Sequence, residues 1–186
     1  MYTLRIEQDE IDFNPRKDFD QLGVMVCFHD RYKLGDEHDI KKKYFDSWDD
    51  IRVYLEKEYN AGVVLPLYLY DHSGISMNTT RFDCRWDSMQ VGFIYMDRKT
   101  ILAESPNNPK ILSPAAKKWA IKRLESEVKE YDQYLTGDVW GYIIEDEDGD
   151  HIDSCWGFYG YHYCKEYGES ELARLNECLT IAELSV

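Results

Sequence analysis

The sequence predicts an α+β protein, an antiparallel sheet with about three helices packed on it. Three observations lead there. VWGYIIED (139–146) and HIDSCWGFY (151–159) are strand-like runs on either side of an Asp148-Gly149 turn, which is a hairpin signal. Ser113-Pro114 opens a segment with apolar residues at helical spacing, Ser as cap and Pro at the first position. The segments run in the order strand, helix, strands, helix, hairpin, helix.

Each element has its own justification. TLRIEQ (3–8) alternates and reads as a strand. A polar loop with Asn14-Pro15 follows, then GVMVCFH (23–29), short and apolar enough for a buried strand. RYKLGDEHDIKKKY is a charged loop. Ser47 can cap a helix through WDDIRVYLEKEY, with Asp49 and Asp50 in the first turn, where the dipole favours them. VVLPLYLYDH (63–72) is a strand in which Pro66 removes a ladder donor, so that position belongs to an edge, a bulge or the strand start. GISMNT continues after a Ser-Gly turn, and QVGFIYM (90–96) is a further strand. SPNNPK falls in an exposed linker at 105–112. The next helix runs to about Leu135, with Ala120, Leu124, Val128, Tyr131 and Leu135 on one face, and Gly137 ends it. A last helix covers about 169–184. The 186 residues are read as a single domain, 1–186.

The hydrophobic share is 44%, and 15 Tyr and 5 Trp contribute to an aromatic share of 15%, which excludes a disordered chain. The aromatic excess suits interfaces as well as half-buried sheets, and a homodimer is compatible with it. No apolar run has the length of a transmembrane helix, and MYTLRIEQDE lacks the apolar core of a signal peptide. A cytoplasmic protein with no membrane contact is therefore expected. The odd number of cysteines (27, 84, 155, 164 and 178), with no CxxC spacing, reads as free thiols. The formal charge is −14. Residues 138–186 carry 2 basic and 12 acidic side chains, so most of the excess lies in the last quarter. Such a field repels nucleic acid and attracts basic surfaces.

Asp71, His72 and Ser73 stand side by side and are the residue types of a hydrolytic triad. Consecutive strand residues point to alternate faces, so they cannot line up among themselves. DHSG reads more simply as a strand end and turn. His29, His72, His151 and His162, with Cys27, Cys84, Cys155 and Cys164, are metal-ligand types without a spacing signature. EDEDGDHID (145–153) fails the calcium-loop register, because Gly149 falls at position 4 from Asp146. It reads as a hairpin tip on which Glu145, Asp146, Glu147, Asp148 and Asp150 concentrate negative charge. Lys117, Lys118, Lys122 and Arg123 form a small basic patch early in the 113–135 helix, a candidate for weak phosphate or partner contact and otherwise a solvated face. CRWDS (84–88) and DSCWGFYGYHY (153–163) set Trp86 and Trp156 beside Asp and Ser, as a packed sheet corner or a binding surface.

The blocks VMVCFHDRYKLGD, LPLYLYDHSGISM, CRWDS–QVGFIY, EYDQYLTGDVWGY and DSCWGFYG, spanning about residues 22–160, resemble a family of small acidic proteins. Its members are carried by phages, plasmids and integrated elements, mostly of Gram-positive gut bacteria. Some are labelled antirestriction, and the group is identified as including a type II-A anti-CRISPR inhibitor of the RNA-guided Cas nuclease. The resemblance implies inhibition by binding to a Cas effector with its guide RNA, in the host cytoplasm, without catalysis and with no cofactor or metal. Asp71, His72, Trp86, Asp87 and Trp156 match the family blocks without an assigned role. The acidic segment is the expected contact, since such nucleases hold nucleic acid in positively charged channels. Two alternatives stay open: an antirestriction DNA mimic aimed at restriction–modification enzymes, and an enzyme using Asp71, His72 or a Cys/His cluster.

Overall fold

The structure is a computed structural model that describes residues 1–10, 13–83 and 88–183, with side chains to residue 179. It is an α+β protein with two antiparallel sheets, one of three strands in the order β1 (Thr3–Gln8), β6 (Val139–Glu145), β7 (His151–Tyr159) and one of four in the order β2 (Val24–Cys27), β5 (Ser88–Asp97), β3 (Ala61–Asp71), β4 (Ile75–Asn78). The chain forms two compact units. Unit 1 comprises Met1–Phe13 and Gly137–Val186, and unit 2 comprises Asn14–Thr136. The strands expected in one sheet thus divide between two. The hairpin β6–β7 takes its third strand, β1, from the opposite end of the chain.

Unit 2 is built on β2 (Val24–Cys27), β3 (Ala61–Asp71), β4 (Ile75–Asn78) and β5 (Ser88–Asp97). The helix α4 (Pro114–Thr136) lays Ala116, Ala120, Leu124, Val128 and Tyr131 on one face, against Met25, Leu67, Leu69, Ile94 and Met96. The helix α2 (Trp48–Glu58) packs Ile51 and Leu55 on the other, against Val26, Phe93 and Tyr95. Coverage on both faces explains why β5 reads as a continuous apolar run rather than an alternating one. Ser47 caps α2 in a capping box with Asp50. The Ser113 hydroxyl accepts from the amide of Ala116 at the start of α4. Pro66 lies where β3 pairs only with β5, because β4 reaches no further than Tyr68, so β3 is locally an edge at the residue that lacks an N–H.

The two shortest helices were not evident from periodicity. In α1 (Pro15–Asp18) the Asn14 side chain accepts from the Arg16 amide. In α3 (Arg98–Glu104) Asp97 accepts from both the amide and the hydroxyl of Thr100. After it, Ser105 is buried and residues 106–108 are exposed.

One buried ion cluster ties the first segment of unit 2 to α4. The Arg16 guanidinium, its side chain 2% exposed, donates to both oxygens of Asp36 (Nε–Oδ1 2.9 Å), to Glu127 (3.2 Å) and to the Gly23 carbonyl (2.6 Å). Glu127, 1% exposed, also accepts from the amides of Leu22 and Gly23 and from Arg123. Burial pulls the Arg16 guanidinium down, but the two carboxylates outweigh it and its pKa lies above the ordinary value.

In unit 1, β6 (Val139–Glu145) pairs on one side with β1 (Thr3–Gln8) and on the other with β7 (His151–Tyr159). The last helix, α5 (Tyr161–Glu183), packs against Leu4, Ile6, Tyr142, Ile144 and Phe158. It begins eight residues before the expected 169. Gly168 hid those first two turns in the sequence. The residue faces the sheet, where a Cβ would stand 2.9 Å from Leu4 and 3.2 Å from Tyr142. Among the described residues no helix is long and apolar enough to cross a membrane.

Two measurements test these assignments. Arg16→Ala leaves the buried Glu127 with Arg123 alone as cation and strips the guanidinium from Asp36, and is expected to lower stability by about 3 kcal/mol in urea unfolding. Asp97→Ala removes the α3 cap and should cost about 1 kcal/mol at neutral pH. Burial raises the Asp97 pKa, but the Thr100 and Lys99 hydrogen bonds and the Lys99 charge lower it more, and the net shift is downward. That stabilisation is present above the ordinary carboxylate range and is lost as pH falls through the native value. The difference between the two proteins should therefore shrink in acid.

Candidate functional site

The hairpin between β6 and β7 is a structured turn. The Asp146 amide donates to the Asp150 carbonyl at 3.0 Å, and the Gly149 amide to the Asp146 carbonyl at 3.2 Å. The Asp146 carboxylate accepts from the amides of Asp148 (3.0 Å) and Asp150 (2.8 Å). One acid thus builds the tip on which the others stand. Glu145 pairs with Arg5 at 3.1 Å. Glu147 pairs with the Met1 amino group at 2.6 Å, whose hydrogen bond and charge hold its carboxyl below the usual range. The carboxylates of Asp148 and Asp150 are exposed and take no hydrogen bond or ion pair among the described residues.

Unit 1 takes in nearly all of the excess charge, more than the last quarter of the chain alone. Unit 1 carries 16 acidic and 3 basic side chains, a net of −13, whereas unit 2 carries 20 and 19, a net of −1. All three cations of unit 1 are paired: Arg5 with Glu7 and Glu145, Lys165 with Glu169, and Arg174 with Glu171. The sequence showed the acidic C-terminal segment. It did not show that β1, with Glu7, Asp9 and Glu10 in or just beyond it, joins the same unit.

The remaining candidate residues are dispersed. Asp71 ends β3 and accepts from the Arg31 guanidinium and the Tyr32 hydroxyl. His72 lies in the turn that follows, its amide bonded to the Gly74 carbonyl at 3.1 Å, with Ser73 at a left-handed φ of 60°. Asp71, His72 and Ser73 therefore form the end of a strand and a tight turn. Trp156 lies over Gly141 of the neighbouring strand, where a Cβ would stand 2.1 Å from the indole ring. Trp86 and Asp87 lie outside the described residues. Lys117, Lys118 and Lys122 are exposed on α4, while Arg123 is bonded to the buried Glu127 at 3.0 Å.

Among the described residues, no three of His, Cys, Asp and Glu stand close enough together to hold a metal ion. Cys27, Cys155, Cys164 and Cys178 are free thiols. Burial pushes Cys27 up to about 12, with Asp36 adding to the rise. Burial and the neighbouring Cys155 push Cys164 up to about 11. Neither is a nucleophile at neutral pH. Comparison with protein-family models, with curated proteins and with solved structures finds no match to this chain.

Thiol accessibility gives a direct check. In native protein at pH 8, iodoacetamide should label the exposed Cys155 and Cys178 and leave Cys27 and Cys164 unmodified in a peptide map. Rapid labelling of the half-buried Cys27 would contradict its raised pKa and reopen thiol chemistry.

Proposed function

We propose that this protein is an anti-CRISPR protein, which binds a type II RNA-guided nuclease through the acidic surface of unit 1 and keeps it from engaging DNA. The observation that carries this reading is the segregation of charge: a net of −13 on unit 1 against −1 on unit 2. A surface of that kind competes with a phosphate backbone for a cationic channel. It needs no catalysis, in keeping with the structural use of Asp71 and His72 and the raised thiols of Cys27 and Cys164. Asp148 and Asp150 are the foremost contacts, because their charge is not neutralised within the unit. Asp146 acts by shaping the turn.

A cleavage assay with purified nuclease, guide and target, titrated with this protein, tests the proposal. Inhibition near stoichiometry is expected, weakening steeply as salt rises. Asp148→Asn with Asp150→Asn should raise the concentration needed about tenfold, on the order of 1.4 kcal/mol, without unfolding the hairpin. Lys117→Ala with Lys122→Ala should inhibit like the parent. Absence of inhibition at large excess would sink the Cas reading and direct the same assay to restriction enzymes as targets of a DNA mimic.

A further inference from the structure

The acidic unit also carries an unusual set of exposed aromatic rings. Tyr163 is 60% exposed and Tyr167 is 44% exposed, one turn apart on α5. Both rest on one buried residue: Phe158 meets the Tyr163 ring at 5.6 Å and the Tyr167 ring at 5.3 Å. Tyr142, beneath, contacts Phe158 and Tyr167 and donates its hydroxyl to Asp153 at 3.0 Å. The two exposed rings are thus supported from below and present free surface to solvent. Ordering them on binding would lose little side-chain entropy.

Glu166 follows Tyr163 by three residues, the spacing that brings helix side chains together. It is exposed and has no ion pair or hydrogen bond among the described residues, while Lys165 and Arg174 on the same helix are paired with Glu169 and Glu171. A carboxylate beside supported aromatic faces, within an acidic field, matches one side chain better than any other. A guanidinium can stack on a ring and donate to a carboxylate with the same planar group, whereas an ammonium is more strongly hydrated and does the first less well. Unit 1 of a second copy is a poor occupant, because it would bring a further 16 acids and only 3 bases.

We infer that Tyr163, Glu166 and Tyr167 form a docking site for arginine side chains of the partner protein. This rests on the proposed inhibitor reading for the identity of the partner. It would make that recognition selective for arginine rather than for positive charge alone, and arginine is the residue that reads the motif next to the target DNA.

The test needs no nuclease, so its failure is distinguishable from failure of the inhibitor reading. Peptides of nine arginines and of nine lysines are titrated into the intact protein by calorimetry at moderate salt. The arginine peptide should bind several-fold more tightly. Replacing Tyr163 and Tyr167 by Leu should reduce that preference by about two- to fivefold per ring, with lysine-peptide binding unchanged. Phe at both positions should retain it, and Glu166→Gln should weaken it. Equal binding of the two peptides, or a preference that survives the Leu replacements, would overturn the proposal. So would sedimentation showing a dimer whose formation excludes the arginine peptide.

Discussion

The buried contact of Arg16 with Asp36 and Glu127 is the constraint on which unit 2 depends. Thirty-odd residues before α2 contain one four-residue strand, one four-residue helix and a single 3-10 turn at Lys42–Tyr44, too little regular structure to hold themselves in place. Arg16 draws α1, the Gly23 carbonyl and the Asp36 loop to one point, and Glu127 supplies that point from α4. Asp36 then accepts from the Met25 amide, and Tyr131 accepts from the Gly35 amide at 3.1 Å. The charges balance unevenly, two carboxylates for one buried cation. Arg123 and the backbone amides of Leu22 and Gly23 make up the difference. Removing the cation therefore reaches beyond its own contacts, because the buried Glu127 keeps only Arg123 as cation and Asp36 loses its guanidinium.

This architecture assigns different tasks to the same residue types. Glu127 is interior and holds a loop, and Asp132 bonds the Ser76 hydroxyl and the Met77 amide at the edge of the larger sheet. Asp146 forms a turn, whereas Asp148 and Asp150 carry net charge outward. An acidic composition thus divides into carboxylates that build the fold and carboxylates that remain to act on other molecules. The division is visible only once partners are assigned.

Much of the fold was legible in the sequence where local chemistry and periodicity agree. The Ser47 and Ser113 caps, the Asp148-Gly149 hairpin, the α4 stripe and the position of Pro66 are all local signals, and the structure contains each of them. The rest was not local. The pairing of β1 with β6 joins residues 142 positions apart, as between Thr3 and Glu145. No pattern of apolar residues specifies which sheet receives which strand. The first turns of α5 were hidden because YHYCKEYG has the aromatic content of a strand and a glycine where helices seldom have one. Of the candidate site, the acidic tip was readable from composition. That Glu145 and Glu147 are paired and Asp148 and Asp150 are not depended on the distant Arg5 and Met1.

The discontinuity of unit 1 also imposes an order on its making. Unit 2 is one uninterrupted segment, so a growing chain that has reached residue 136 already contains every residue of that unit. At the same moment β1 has been synthesised but its partner strand has not. It must wait through more than a hundred residues of translation, roughly ten seconds at ordinary elongation rates, before β6 emerges to pair with it. The acids that follow it in sequence, Asp9 and Glu10, keep that waiting strand in a charged neighbourhood. The most acidic part of the molecule is thus the last to be assembled, and an interrupted chain would retain unit 2 without the surface that gives the protein its charge.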